Sequence, residues 1–238
     1  MSAIPNETAR TENFEFDALT EAKNYRIALL REFSNYLRGS VLEVGAGIGQ
    51  LTEALLQDPS ITQLVSVEPD LRFCGRLRKV FPSHTIVQGT VDDAPDGGWN
   101  AILNVNVLEH IGDDEGELRK YHQRLSREKG TLCLFVPARP EIYASIDKDF
   151  GHFRRYTRAD LRAKLEGAGF KIVKLRYYNI AGYFAWWFNF CLLKRRHFDP
   201  GTVHFFDRII FPPIHGFEVA ICPPPIGQSL LAVAQAKS

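Results

Sequence analysis

Apolar positions along the chain follow two alternating patterns. Short, largely β-branched runs at residues 41–44, 63–68, 84–88, 101–105, 131–136, 171–178 and 229–234 read as strands. Between most of them, at 51–56, 70–80, 115–125 and 157–167, apolar residues recur three and four apart and read as helices. Such a succession needs right-handed crossovers, which lay the strands parallel and place helices on both faces of the sheet. Thr157 followed by Asp160 supplies a helix start, and Gly167 with Gly169 a stop. Ahead of the first strand, Leu19, Ala22, Tyr25, Ala28, Leu29, Phe33, Tyr36 and Leu37 predict one or two amphipathic helices, ended by Gly39. Residues 1–13 read as a disordered leader.

Residues 180–227 interrupt the alternation and are rich in Phe, Trp, Tyr, His and Pro. A structureless loop of about fifty residues is improbable in a compact domain, so this stretch is expected to carry its own helix or to act as a lid. The organisation that follows is a leader and helical cap over 1–38 and one α/β domain over 39–238, with an insertion at about 180–227.

Composition narrows the function classes. With 238 residues the chain suffices for one α/β domain with a sizeable core. Its 29 basic and 28 acidic residues nearly cancel, and Lys194-Arg195-Arg196 is a thin basic cluster, so a nucleic-acid partner is not expected. Cys74, Cys133, Cys191 and Cys222 are far apart and form no CxxC pair; a zinc knuckle and a disulfide framework are both disfavoured, and a reducing cytoplasm fits. No cluster shows metal-ligand spacing, so no metal is expected. The start of the chain is polar, unlike a signal peptide, and the apolar run from Gly182 to Leu193 is too short to span a bilayer, although aromatics ending in a basic cluster also suit peripheral membrane contact.

The chemistry centres on Val41-Leu42-Glu43-Val44-Gly45-Ala46-Gly47-Ile48-Gly49-Gln50, a strand breaking into a glycine turn before a helix. Glycines there permit positive φ and close approach of a nucleotide-type cofactor. Gln50 stands where a dinucleotide fingerprint has its third glycine, which argues against NAD. Glu68 closes the second strand, where a carboxylate accepts hydrogen bonds from both ribose hydroxyls.

A third block, Val107-Leu108-Glu109-His110-Ile111 after the fourth strand, resembles the class I S-adenosylmethionine (SAM)-dependent methyltransferases. With the glycine turn and Glu68 it covers residues 41–136 in the order of that family. The resemblance implies a Rossmann-like, seven-stranded, mostly parallel sheet whose last strand is antiparallel and lies between the fifth and sixth. It implies SAM as donor and S-adenosylhomocysteine (SAH) as product. Glu43, Gly45, Ala46 and Gly47 would lie near the methionine part, Glu68 and Pro69 at the ribose, Gly89, Thr90 and Val91 at the adenine, and Asn104, Val105 and Asn106 along the far wall. The family's usual Asp after the strand-three glycine is Thr90 here, with Asp92 and Asp93 further on. Tyr25 and Arg26, on the helical cap, are placed to reach the same pocket.

Asp147-x-x-x-Gly151-His152-x-Arg154-Arg155-Tyr156-Thr157 resembles a subgroup of bacterial methyltransferases and extends the likeness over most of the chain. His152 and His110 are the candidate bases. Arg154 and Arg155 read equally well as donors to an anion or as loop ties, with Asp147 and Glu218 as potential partners. Arg155 and Tyr156 complete the candidate catalytic set. The expected acceptor is a small molecule, apolar or anionic in part, or a lipid- or sugar-linked metabolite, with O-methylation ahead of N-methylation. Competing readings are an NAD-dependent oxidoreductase on the same architecture and a noncatalytic SAM-binding partner protein.

Overall fold

The computed structural model describes residues 20–220 and 223–237; the leader over 1–13 and the beginning of the first helical stretch lie outside them. Seven strands, β1 (Gly39–Val44), β2 (Ile61–Glu68), β3 (Thr85–Gln88), β4 (Ala101–Val105), β5 (Thr131–Pro137), β6 (Phe170–Tyr178) and β7 (Ser229–Ala236), form one sheet in the order β3-β2-β1-β4-β5-β7-β6. β1 pairs in parallel with β2 and β4, and β7 runs antiparallel between β5 and β6. The expected parallel sheet with one reversed strand is therefore present, in the predicted order.

Alternation within the strands divides the core. Leu42, Val44, Ile102, Leu132, Leu134, Leu230 and Ala232 face one side, where they meet Leu118, Tyr121 and Leu125 of α4 (Asp114–Ser126) and Leu161 and Leu165 of α6 (Arg158–Gly167). Val41, Leu103, Cys133, Phe135, Leu231 and Val233 face the other, against Ala28, Leu29 and Phe33 of α1 (Lys23–Phe33) and Leu55 of α2 (Thr52–Leu56). Neither face is left to water, which explains why the strands read as continuous apolar runs. Burial of Cys133 on this second face pushes its thiol up.

Observed and predicted limits differ at element ends. β2 begins at Ile61, two residues earlier than the apolar run suggests, because Ile61 pairs with Gly39 of β1 and packs on the second core face while Thr62 and Gln63 beside it are exposed. Asp70 stands just outside α3 (Leu71–Val80) and caps it, accepting from the Arg72 amide at 2.7 Å. Thr157 caps α6 in the same way, accepting from the Asp160 amide at 3.1 Å. A short helix, α5 (Ser145–Asp149), follows β5.

The aromatic insertion is helical. α7 (Ile180–Trp186) continues into π-helical turns over Trp187–Leu192, and α8 (Pro200–Phe205) continues through π-helical turns at Phe206–Ile210 into α9 (Phe211–Ala220). Two buried carboxylates fasten it. Glu218 accepts from the Asn179 amide at 3.2 Å and the Ile180 amide at 2.6 Å, at the start of α7. Asp207 accepts from the Asn24 amide at 2.9 Å and the Tyr25 amide at 2.8 Å, at the start of α1. Those amides belong to the first helical turn, which has no partners of its own, and a negative charge there also meets the positive end of the helix dipole.

Replacing Asp207 by Ala should remove about 2 kcal/mol from the anchorage of α1 to the insertion. Hydrogen-exchange mass spectrometry should then show faster exchange in residues 23–33 and 200–220 with the sheet unchanged; uniform protection in those segments would refute this reading.

Candidate functional site

Because β1, β2, β3, β4 and β5 are parallel, their C-terminal ends share one edge of the sheet, and each turn there hangs on a neighbouring strand. The Gly45 amide donates to the Val67 carbonyl at 2.8 Å, the Gly89 amide to the Glu68 carbonyl at 3.0 Å, and the Asn106 amide to the Phe135 carbonyl at 2.9 Å. Gly45 has φ +77, and a Cβ on it would come within 2.2 Å of Val107 Cγ2, so only glycine fits where the turn passes beneath the β4 loop.

The turn is organised by two carboxylates. Glu43 is buried below it, with Oε2 accepting from Thr52 Oγ1 at 2.7 Å and Ser66 Oγ at 2.5 Å. It braces β1 against β2 and α2, and burial raises its carboxyl above the usual range. Glu68 stands beside the turn: Oε2 accepts from the Gly47 amide at 2.8 Å and Oε1 from the Asp70 amide at 2.9 Å. Burial again raises this carboxyl. Each Glu68 oxygen uses one lone pair on a main-chain amide and keeps a second, so the group retains capacity for a vicinal diol. The chemistry of this donor set, a carboxylate against a positive-φ glycine turn, fits the ribose and methionine parts of SAM.

Other sequence candidates are placed less directly. Asn104 is fully buried and donates through Nδ2 to Tyr121 Oη at 2.8 Å, so its side chain enters the core. Val105 packs among the residues of the second core face. Val91 is buried, and Thr90 opens a short turn in which Asp93 Oδ2 accepts from the Thr90 amide at 2.8 Å. Asp92 is ion-paired with Lys120 at 2.5 Å. Tyr25 stands edge-on to Phe135 and Tyr178 with ring centroids at 6.2 and 5.6 Å, and burial pushes its phenol up. The segment before α1 does reach the turn, since Gln50 Nε2 donates to Thr20 Oγ1 at 2.9 Å.

A cavity of about 220 Å³ lies between the strand ends and the insertion. Asn106, Glu109, Pro137, His152 and Arg155 line its sheet side, Tyr25 and Ser229 its flank, and Trp186, Phe190, Phe198 and Phe206 its roof. Asn106, with φ 54, connects it to the β4 end that neighbours the glycine turn.

At its polar end three groups form a chain. Arg155 holds Asp147 through Nε at 2.9 Å and Nη2 at 2.8 Å, and Asp147 Oδ1 lies 3.0 Å from His152 Nδ1. Although burial works the other way, the His152 hydrogen bond and the Arg155 charge hold the Asp147 carboxyl below its usual value. An ionised carboxylate accepts only, so Nδ1 carries a proton, and in the neutral tautomer that this sets Nε2 is the nitrogen with the lone pair. Nε2 faces Glu109 Oε1 at 4.0 Å. The His110 ring meets His152 edge-on at 4.7 Å, and burial together with that neighbour lowers its imidazole to about 4. Arg155 also lies 4.3 Å over the Trp186 ring.

The two arginines and the tyrosine of the motif are structural ties in this arrangement. Arg154 pairs with Asp114 at 2.7 Å. Tyr156 is fully buried, outside the cavity lining, and donates to Asp114 Oδ2 at 2.9 Å; burial and that carboxylate push its phenol up. The sequence marks Asp147 as a potential arginine partner and Glu109 as part of the Val107–Ile111 block, and gives neither of them nor Trp186 a place at this cavity. The motif spacing contained the Asp147–His152 pair, whereas nothing local joins Glu109 to His152.

Comparison with known proteins agrees with the architecture. A family model described as a methyltransferase domain matches residues 19–175. No curated protein matches the chain. Among solved structures, a chain of the Haloferax volcanii complex between the Trm112 methyltransferase activator and a methyltransferase is similar with TM-score 0.62 and 16% identity, covering 99% of this chain and 100% of that one. A SAM-dependent methyltransferase from Thermotoga maritima gives TM-score 0.59 at 17% identity over 94% and 95% of the two chains. A TehB-like SAM-dependent methyltransferase from Corynebacterium glutamicum gives 0.58 at 14% over 97% and 99%. At these identities the likeness establishes the shared fold.

Asp147→Asn should destabilise the protein by about 3 kcal/mol, because Arg155 is left buried without its counter-charge. The folded-state pKa of Asp147 is depressed, so its contribution is present above the ordinary aspartate value of about 4 and is lost as the pH falls below it. Thermal melts from pH 3 to 7 should therefore converge for wild type and variant at the acid end; a constant difference across that range would contradict the assignment.

Proposed function

The chain belongs to the SAM-dependent methyltransferases, and from that premise we propose that it methylates a hydroxyl of an acceptor held between the strand ends and the aromatic insertion. The observation that carries this reading is the cavity with apolar walls and one polar end at Glu109 and His152, adjoining the glycine turn through Asn106.

Bound SAM supplies a methyl carbon on a sulfonium, open to in-line displacement. Gly45, Ala46 and Gly47 would hold the methionine part, with Glu43 bracing the turn from below. Glu68 and Pro69 would take the ribose, Gly89, Thr90 and Val91 the adenine, and the main chain from Asn104 to Asn106 would form the far wall. Positive charge disperses during the transfer, so the protein's contribution is alignment in a site from which water is excluded. Trp186, Phe190 and Phe198 exclude it from above. The acceptor oxygen sits against His152 and Glu109, where its proton leaves; Arg155 acts through Asp147 to fix the His152 tautomer. Tyr25 belongs to the acceptor side, on the flank of the cavity.

The insertion also bears on where the acceptor comes from. Among the described residues, nine of the fifteen exposed large apolar side chains lie within 184–219. Phe184, Trp187, Phe188 and Leu192 recur at helical spacing along the outside of α7 and its continuation, while Gly182, Trp186 and Phe190 of the same segment are buried. Lys194, Arg195 and Arg196 follow at once. No helix among the described residues is long and apolar enough to cross a membrane. An apolar stripe beside cations matches an anionic bilayer surface, and the acceptor would then be lipid-linked, entering the cavity from that side.

Calorimetry should show SAH binding that weakens about tenfold to a hundredfold in Glu68→Ala, which removes hydrogen bonds to a charged acceptor. His152→Ala should keep SAH affinity and lose roughly 100-fold or more in turnover of labelled methyl groups. Unaltered SAH affinity in Glu68→Ala would count against the donor assignment.

Wild type should co-sediment with phosphatidylglycerol vesicles and not with phosphatidylcholine vesicles, and the pair Trp187→Ser and Phe188→Ser should abolish this with SAH affinity retained. A stable dimer in light scattering without vesicle binding would instead assign the stripe to a second copy of the chain.

A further inference from the structure

Glu109, His110 and His152 present one ligand atom each within 4.8 Å of one another. We propose that these three side chains form a divalent-cation site at the polar end of the cavity, and that the cation activates the acceptor's hydroxyl. The inference rests on the reading of that cavity as the acceptor site.

Three donors spaced within 4.8 Å share a point at most about 2.8 Å from each, so small side-chain adjustments bring all three to the 2.0–2.2 Å typical of nitrogen and carboxylate ligands. The 4.0 Å between His152 Nε2 and Glu109 Oε1 exceeds hydrogen-bond length, and an approach of about half an ångström would bring the two to the roughly 3.4 Å that separates ligands of a tetrahedral ion. The surroundings are those of a ligand histidine: Nδ1 of His152 donates to Asp147 at 3.0 Å, which orients the ring and aims Nε2 inward. Arg155 in turn fixes Asp147 through two contacts. Two imidazoles and one carboxylate suit a first-row transition cation, and three protein ligands leave further positions for water or substrate.

One of those positions faces the cavity that Glu109 and His152 line. An acceptor hydroxyl bound there becomes more acidic and loses its proton to water. Its oxygen lone pair then forms the new C–O bond as the C–S bond breaks, and that bonding pair remains on sulfur. On this assignment His152 is a ligand, and Asp147 and Arg155 are positioning residues.

The test uses full-length protein dialysed against EDTA and titrated with Co²⁺, followed by visible absorption, with Zn²⁺ as competitor. The expected result is one equivalent of Co²⁺ with absorption bands of a nitrogen–oxygen site, displaced by Zn²⁺. Binding should weaken at least 100-fold in His110→Ala and in Glu109→Gln, both retaining SAH affinity as a measure of folding. Absence of Co²⁺ binding, or binding unchanged in both variants, overturns the proposal. Should wild type bind SAH and transfer methyl groups after EDTA treatment while ignoring Co²⁺, the cation site fails and the methyltransferase reading stands. Failure to bind SAH at all would strike that reading instead.

Discussion

The parallel pairing of β1 with β2 on one side and β4 on the other is the constraint on which the site depends. It brings three strand ends to one edge, and the backbone groups that end there have to find partners across the sheet. The Gly45, Gly89 and Asn106 amides do so on neighbouring carbonyls, which fixes the height of every loop around the groove. Glu68 and Asn106 lie at the same edge, with only β1 between their strands, for that reason, although 37 residues separate them in sequence. The antiparallel β7 then closes the far half of the sheet and brings Ser229 to the flank of the cavity.

Electrostatic order around the cavity and the insertion comes from a few buried carboxylates. Asp147 serves Arg155 and His152; Asp114 serves Arg154, Lys164 and Tyr156; Glu218 and Asp207 each serve two helix-start amides. None of them is an isolated buried charge, which would be costly. The motif Asp147 to Thr157 thus reads physically as one loop tied at several points, with Phe150, His152 and Arg155 lining the cavity.

Much of this is legible in the sequence. The strands buried on both faces announce themselves as apolar runs, and the turn from Gly45 to Gly49 by the three glycines that hold its positive-φ positions. Legibility fails where the deciding partner is remote. Arg154 and Arg155 are adjacent and chemically alike, and only the fold sends one to Asp114 and the other to Asp147. Tyr25 has the spacing of a core residue and the reach of a pocket residue, and in the fold it packs edge-on to Phe135 while lining the cavity. Trp186 and Trp187 are neighbours in an all-round apolar helix, yet one is buried and the other about half exposed, at 6% and 45%. Periodicity cannot say which stripe meets the sheet when both stripes are aromatic. Glu109 and His152 come from different loops, so no spacing rule could have joined them.

The fastenings of the insertion have a mechanical consequence. With Glu218 holding the start of α7 and Asp207 holding the start of α1, the segment is a strap pinned at both ends, without the single hinge of a flap. Of the two stretches of wide helical turn, Trp187–Leu192 lies along the span and Phe206–Ile210 carries the pin Asp207 itself. The crown over residues 193–199 is fastened as well, through the Arg196–Asp149 pair and the stacking of Phe198 on Phe150, so the roof is a fixed vault and the shape of its walls sets what the cavity admits.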